Sequence, residues 1–259
     1  MSSPNTGKIH GQGAFINNIS SRLGRKQPLT SAPDHPTRGV PDFYKDIALS
    51  KHEQIDVFTK NWTALTGKVL VVKEAEAQEA IAAWLLEVCS ELGVTKVVRY
   101  ENEQIRQLGL DAGLEHAGIH VVPWKEREAY AFPEEEVAPD SNWSSRSPLL
   151  QSAERCKLGI VWPDYAIANT STLVIEAQGG HGRSVSLVTE VLFAIFRADQ
   201  LVTRMGEALE PIYQAAASDP GELASSINMI TGPSRSADIE NDLTIGIHGP
   251  GKVYAVIIE

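Results

Sequence analysis

The 259-residue chain carries 33 acidic against 23 basic residues, a formal net charge of −10. This excludes a general nucleic-acid binder, because neutralising phosphates needs Lys and Arg in excess. A composition of 42% hydrophobic and 22% charged residues fits a globular protein with an ample core, large enough for one α/β domain with an extension.

No apolar run approaches the roughly 20 residues of a membrane span. Residues 1–13 lack the apolar core of a signal peptide. Only Cys89 and Cys156 occur, which supplies neither a disulfide framework nor a CxxC metal site. An iron–sulfur cluster held by this chain alone would need more thiolates. The expectation is a cytoplasmic protein with no metal or cofactor of its own.

In chain order, a weakly helical segment over 14–23 places Phe15, Ile19 and Leu23 on one stripe, suited to docking on the main domain or on another subunit. Residues 25–42 hold four prolines and read as an extended linker. The expected division is 1–45, helix and Pro-rich linker, and 46–259, the α/β domain. Helical periodicity over 46–65 ends at Gly67, and a buried strand follows at 69–72. The helix from Glu74 buries Ala77, Ile81, Leu85 and Val88 on one face. Strand 94–98, helix 102–117 and strand 118–122 complete a pattern that implies a mainly parallel sheet covered on both faces. Residues 124–148, with Pro133, Pro139 and three consecutive glutamates, read as a solvated loop or as a lid. A short helix at 148–156 and strands at 158–161, 173–175, 186–188 and 191–196 come next. The segment 197–217 reads as mostly helical, with Pro211 kinking or restarting it. An apolar run over 227–231 then stops at Gly232-Pro233.

Two polar loops carry the chemistry. Asn169, Ser171 and Thr172 stand just before one strand. Ser234, Arg235 and Ser236 follow the Gly232-Pro233 turn, where a serine would cap a helix with Asp238 in its first turn. Ligands collect outside strand ends in open α/β sheets, so these loops together are candidates for holding a small carboxylate or phosphate. The alternative is that they only cap helices and complete turns. Glu176, at a strand end, reads as a solvated terminus or as a nucleophile or general base. His181 and His248 are each flanked by glycines, which permit close approach of a ligand or a backbone. Neither has a second His or Cys at metal-ligand spacing, and a turn-forming role is the reading for His248. No GxSxG elbow, phosphate-binding loop, HExxH or dinucleotide fingerprint occurs.

The run GPSRSADIE at 232–240, with the Gly246-Ile247-His248-Gly249-Pro250 turn after it, resembles the LUD-domain family of lactate-utilisation proteins in its protein C branch. Arg22-Leu23-Gly24, the GRSVSL stretch and Arg204-Met205 carry the same resemblance. It implies a three-layer α/β/α sandwich like that of ribose-5-phosphate isomerase, glucosamine-6-phosphate deaminase and CoA transferases. It also implies a part in oxidising L-lactate to pyruvate beside iron–sulfur partner proteins, and transfers no catalytic residue. One departure stands out. Where the family commonly has an acidic residue and a glycine, in an [ED]-[ST]-G-[ST] pattern, this chain has Asn169 and Ser171. The shared fold leaves two alternatives open: a stand-alone small-anion enzyme of the isomerase, deaminase or CoA-transferase type, or a non-enzymatic ligand-binding regulator.

Overall fold

A computed structural model describes residues 10–31, 48–125, 148–219, 224–237 and 243–259. The chain divides into two compact units, 1–47 and 48–259. In the first, α1 spans Gln12–Arg22 and carries Phe15 and Ile19, with Leu23 as its C-cap. The 124–148 loop or lid and Asp238 fall almost wholly or wholly outside the described residues.

The second unit opens with α2 (Lys51–Ala64), started by a capping box: the Ser50 side chain accepts from the Glu53 amide and the Ser50 amide donates to Glu53. Its apolar face buries Phe58 and Trp62 fully, stacked at 5.4 Å. Five strands and four helices of the main sheet layer follow along the chain: β1 (Lys68–Val72), α3 (Ala77–Leu92), β2 (Lys96–Arg99), α4 (Glu103–Gln107), α5 (Leu110–His116), β3 (His120–Pro123), α6 (Pro148–Glu154), β4 (Leu158–Val161) and β7 (Val191–Arg197). With β12 (Lys252–Ile258) they build a six-stranded, wholly parallel sheet in the order β1-β12-β7-β4-β2-β3. The near-continuous apolar runs of β7 and β12 suit a sheet buried on both faces, and both strands are almost fully buried.

The chain also forms a second sheet that periodicity did not suggest, β8-β5-β6-β9, from β5 (Tyr165–Ile167), β6 (Thr172–Glu176), β8 (Leu201–Val202) and β9 (Ile227–Ile230). Its β5–β6 and β6–β9 pairs are antiparallel. Helix α8 (Met205–Ser218) packs Ala208 and Ile212 against Ile167 and Val174 of that sheet. Four local expectations are corrected. The segment 186–188 is part of a helical turn, α7 (Ser184–Leu187), closed by Val188 N–H to the Ser184 carbonyl; its apolar-polar alternation is too short to distinguish strand from turn. Helix 102–117 divides at Leu108-Gly109 into α4 and α5. The helix expected over 197–217 begins only at Met205, and Pro211 lies inside it without ending it. Ser234 leads directly into a strand instead of a helix: Arg235–Ala237 (β10) pairs in an antiparallel hairpin with Leu243–Ile245 (β11), and the strand ladder satisfies the backbone groups a cap would have served.

Candidate functional site

At the carboxyl end of β2 the chain continues as Arg99-Tyr100-Glu101-Asn102. Arg99 is buried and grips Asp111 with both Nε (2.8 Å) and Nη2 (2.6 Å), while Nη1 donates to the Tyr100 carbonyl (3.0 Å) and to Glu101 (2.8 Å). Asn102 caps α4 by accepting from the Ile105 amide through Oδ1 at 3.0 Å. That bond fixes the orientation of the side-chain amide, so its Nδ2 faces Nε2 of His181 at 3.2 Å. An amide NH2 can only donate. Nε2 therefore accepts, and the proton of the neutral imidazole is assigned to Nδ1.

The loop carrying His181 is tied down from both sides. The Glu101 amide donates to the Gly180 carbonyl at 3.0 Å, and a Cβ on Gly180 would meet the Glu101 carbonyl oxygen at 2.1 Å. The glycine beside His181 serves this close approach of two backbones. The imidazole stacks on Tyr100 with centroids 4.8 Å apart.

Opposite, the chain leaves β4 through Trp162 and Pro163 to Asp164. Its Oδ2 accepts from the Glu176 amide at 2.7 Å, which couples the exits of β4 and β6. Gln200 holds the same corner by donating to the Pro163 and Asp164 carbonyls. Asp164, Glu176 and His181 thus line one cavity of about 390 Å³ with Asn102, Trp162 and Tyr165. Burial pushes the Asp164 carboxyl above the usual carboxylate range, against the Glu176 amide and the nearby imidazole, which both pull it down. Burial, then the Asp164 charge, raises Glu176. Burial lowers His181, which the attraction of Asp164 only partly opposes. Two carboxyls raised and an imidazole lowered by burial place three groups that exchange protons along one cleft.

The hydroxyl-bearing loops meet at the other end of β6, four strand positions or about 13 Å away. Thr172 Oγ1 bonds Thr170 Oγ1 and Thr231 Oγ1, each at 2.7 Å. Ser234, Arg235 and His248 lie with Thr231 around a cavity of about 260 Å³. The Ser234 hydroxyl accepts from the His248 amide at 3.2 Å, closing the tail turn. Arg235 donates to the Leu65 carbonyl at 2.8 Å, at the C-terminal end of α2. Ser236 lies in the hairpin opposite Thr244. The Asn169 carbonyl accepts from Asn61 at 2.9 Å, and the buried Ser171 hydroxyl donates to the Thr170 carbonyl at 2.8 Å. The structure therefore divides the candidate residues: Glu176 and His181 border the carboxyl-lined cleft, while Ser234, Arg235 and His248 border the smaller cavity. Thr172 supports the smaller cavity from behind through Thr231, whereas the bonds of Asn169 and Ser171 run to Asn61 and to the Thr170 carbonyl. Sequence reasoning passed over Asn102, Asp164 and Thr231. The signal for Asp164 was its place directly after the apolar run of β4.

Ser171 holds a left-handed φ of 47°, a conformation that favours glycine, which the family pattern has at this position. Ser171→Gly should accordingly change stability by less than about 1 kcal/mol. A β-branched residue is a true outlier there, so Ser171→Val should destabilise by about 2 kcal/mol or more. Urea denaturation of the two variants checks the difference.

Comparison with known proteins places this architecture. The family model described as LUD domain matches residues 55–258. A "Lactate utilization protein C" of Halalkalibacterium halodurans is 30% identical over 95% of this chain and 96% of its own length. One of Macrococcus caseolyticus is 28% identical over 98% of both chains. The crystal structure of a DUF162 family protein from Deinococcus radiodurans superposes with a TM-score of 0.50 at 18% identity, covering 82% of this chain and all of that one. No helix among the described residues is long and apolar enough to cross a membrane.

Proposed function

The chain belongs to the LUD domain family, and from that premise we propose that it acts in lactate utilisation, as a cytoplasmic subunit that works with iron–sulfur partner proteins in oxidising L-lactate to pyruvate. The observation that carries this reading is the end-to-end match to relatives named for lactate utilisation. The sequence has two cysteines, and both are buried. Burial pushes Cys89 up to about 11 and Cys156 up to about 12, the latter against the pull of Lys96. Cluster ligands must be thiolates, so thiols this reluctant to ionise favour clusters carried by the partners.

On this reading the carboxylate of lactate sits in the cavity bordered by Thr231, Ser234, Arg235 and His248, where a guanidinium and two hydroxyls supply charge and donors. Calorimetric titration with L-lactate should give an affinity that falls about tenfold or more in Arg235→Ala, the loss of one charge-assisted contact. The fold should survive, because the Leu65 carbonyl that Arg235 caps is exposed to water. The tagged chain, recovered from a bacterium grown on L-lactate, should bring cluster-bearing proteins with it. Recovery of the chain alone, with lactate binding equal in the wild type and Arg235→Ala, overturns the proposal.

A further inference from the structure

Two helices, α1 and α8, each keep an apolar face exposed. On α1 and its C-cap, Phe15, Ile16, Ile19 and Leu23 recur at a helical spacing, and all four are exposed, Phe15 at 63% and Leu23 at 61%. The 11-residue helix buries Ser20 alone, and no side chain caps its amino end. Isolated helices shorter than about 12–15 residues are marginal in water, and packing of an apolar face is what sustains them. A helix like α1 therefore calls for a surface to lie on.

Helix α8 offers one. Its inner face packs Ala208 and Ile212 on the second sheet. A neighbouring stripe through Leu209, Tyr213 and Ala216 lines, with Gly206, Ala217 and Ile227, a cavity of about 560 Å³. Tyr213 stands 76% exposed beside it. Exposed apolar surface of this kind marks an interaction site, and an apolar groove takes an amphipathic helix by anchors at i, i+4 and i+8. The charges match as well. Residues 10–31 contain Arg22, Arg25 and Lys26 and no carboxylate, whereas Met205–Asp219 contains three carboxylates and no Lys or Arg. Glu207 is held by Arg204, and Glu210 borders the cavity itself. Sixteen residues, 32–47, follow the described part of the first unit, and a stretch of that length spans up to about 50 Å. Pro33, Pro36 and Pro41 fall in it, and proline-rich spacers carry what they hold outward, within reach of a neighbouring molecule.

We propose that the groove along α8 receives helix α1 of a second copy of this chain, so that two copies exchange these helices across a twofold axis. Phe15 and Ile19 are the apolar anchors, and the basic residues that follow them lie toward the acidic side of α8. The groove shares no lining residue with the cavity at Arg235, so this assignment and the lactate reading can fail independently.

Sedimentation equilibrium of the full chain provides the test. The wild type should form a dimer at micromolar concentration, and the dimer should weaken as salt screens its charges. Phe15→Asp and Tyr213→Asp each alter a side chain that is exposed in the single chain, so the fold should persist by circular dichroism. Each should weaken the dimer about tenfold or more, because a carboxylate would be buried in the contact. Arg22→Glu keeps both apolar faces and should weaken the dimer more at low salt than at high salt. The decisive sample is a mixture of the Phe15→Asp and Tyr213→Asp chains. The intact helix of the second fits the intact groove of the first, so the mixture should dimerise more tightly than either chain alone. A monomeric wild type, as when α1 packs within its own copy or awaits a different protein, overturns the proposal. So does a dimer that both aspartate variants leave unchanged, or a mixture no tighter than its components.

Discussion

Gly159→Ala is expected to lower stability by about 4 kcal/mol or more, a large share of the roughly 5–15 kcal/mol that holds a domain together. Gly159 lies within β4, between β2 and β7 in the parallel sheet. A Cβ there would stand 2.0 Å from the Val185 carbonyl oxygen and 3.0 Å from Thr189 Oγ1. The obstruction is backbone, and Thr189 holds that carbonyl in place with a hydrogen bond of 3.1 Å. Relief would require α7 to lift off the sheet by more than an ångström. Lifting α7 would also move the loop before it, because the Val185 amide bonds the Gly182 carbonyl, so His181 would leave its stack on Tyr100. Urea denaturation followed by tryptophan fluorescence reads the loss. A shift worth less than about 1 kcal/mol would show that α7 can move freely against β4.

Arg99→Ala should destabilise by about 3 kcal/mol, the low end for breaking a buried ion pair by removing one partner. The low end applies because Asp111 is 40% exposed and can take up water, whereas Glu101 is only 16% exposed and is left with Arg106 at 3.5 Å. The lost guanidinium also releases the Tyr100 carbonyl, and with it the segment that orients Asn102. The same variant should therefore blur the His181 tautomer in ¹⁵N spectra at temperatures where the fold persists. Arg99→Lys should recover little, since an ammonium cannot grip Asp111 with two parallel bonds while serving Tyr100 and Glu101.

The strands of the parallel sheet were legible because each is a short apolar run bounded by polar turns. Strand 158–161 falls where the periodicity put it, and 191–196 differs from β7 by one residue. The second sheet was not legible. Tyr165–Ile167 and Leu201–Val202 are too short to show a period, and their pairing joins segments far apart in the chain. The approach of the hydroxyl loops could be anticipated, since Thr172 and Thr231 flank runs that read as strands. The carboxyl-lined cleft could not. Asn102 and Asp164 stand in ordinary turns and His181 is marked only by its flanking glycines, and the three meet only when the ends of β2, β4 and β6 come together. Glu176 illustrates the limit: a glutamate closing a strand looks solvated until an aspartate twelve positions earlier is found bonding its amide.

The order β1-β12-β7 sets a timetable for synthesis. Residues 68–72 leave the ribosome early, yet their neighbour in the sheet is made of residues 252–258, which must slot between them and β7. Until then a greasy ribbon near the amino end has nowhere to pair, and the nascent chain is exposed to chaperones and to self-association. Translation speed and chaperone supply should thus govern the yield of this protein more than the strength of any single contact in its finished form.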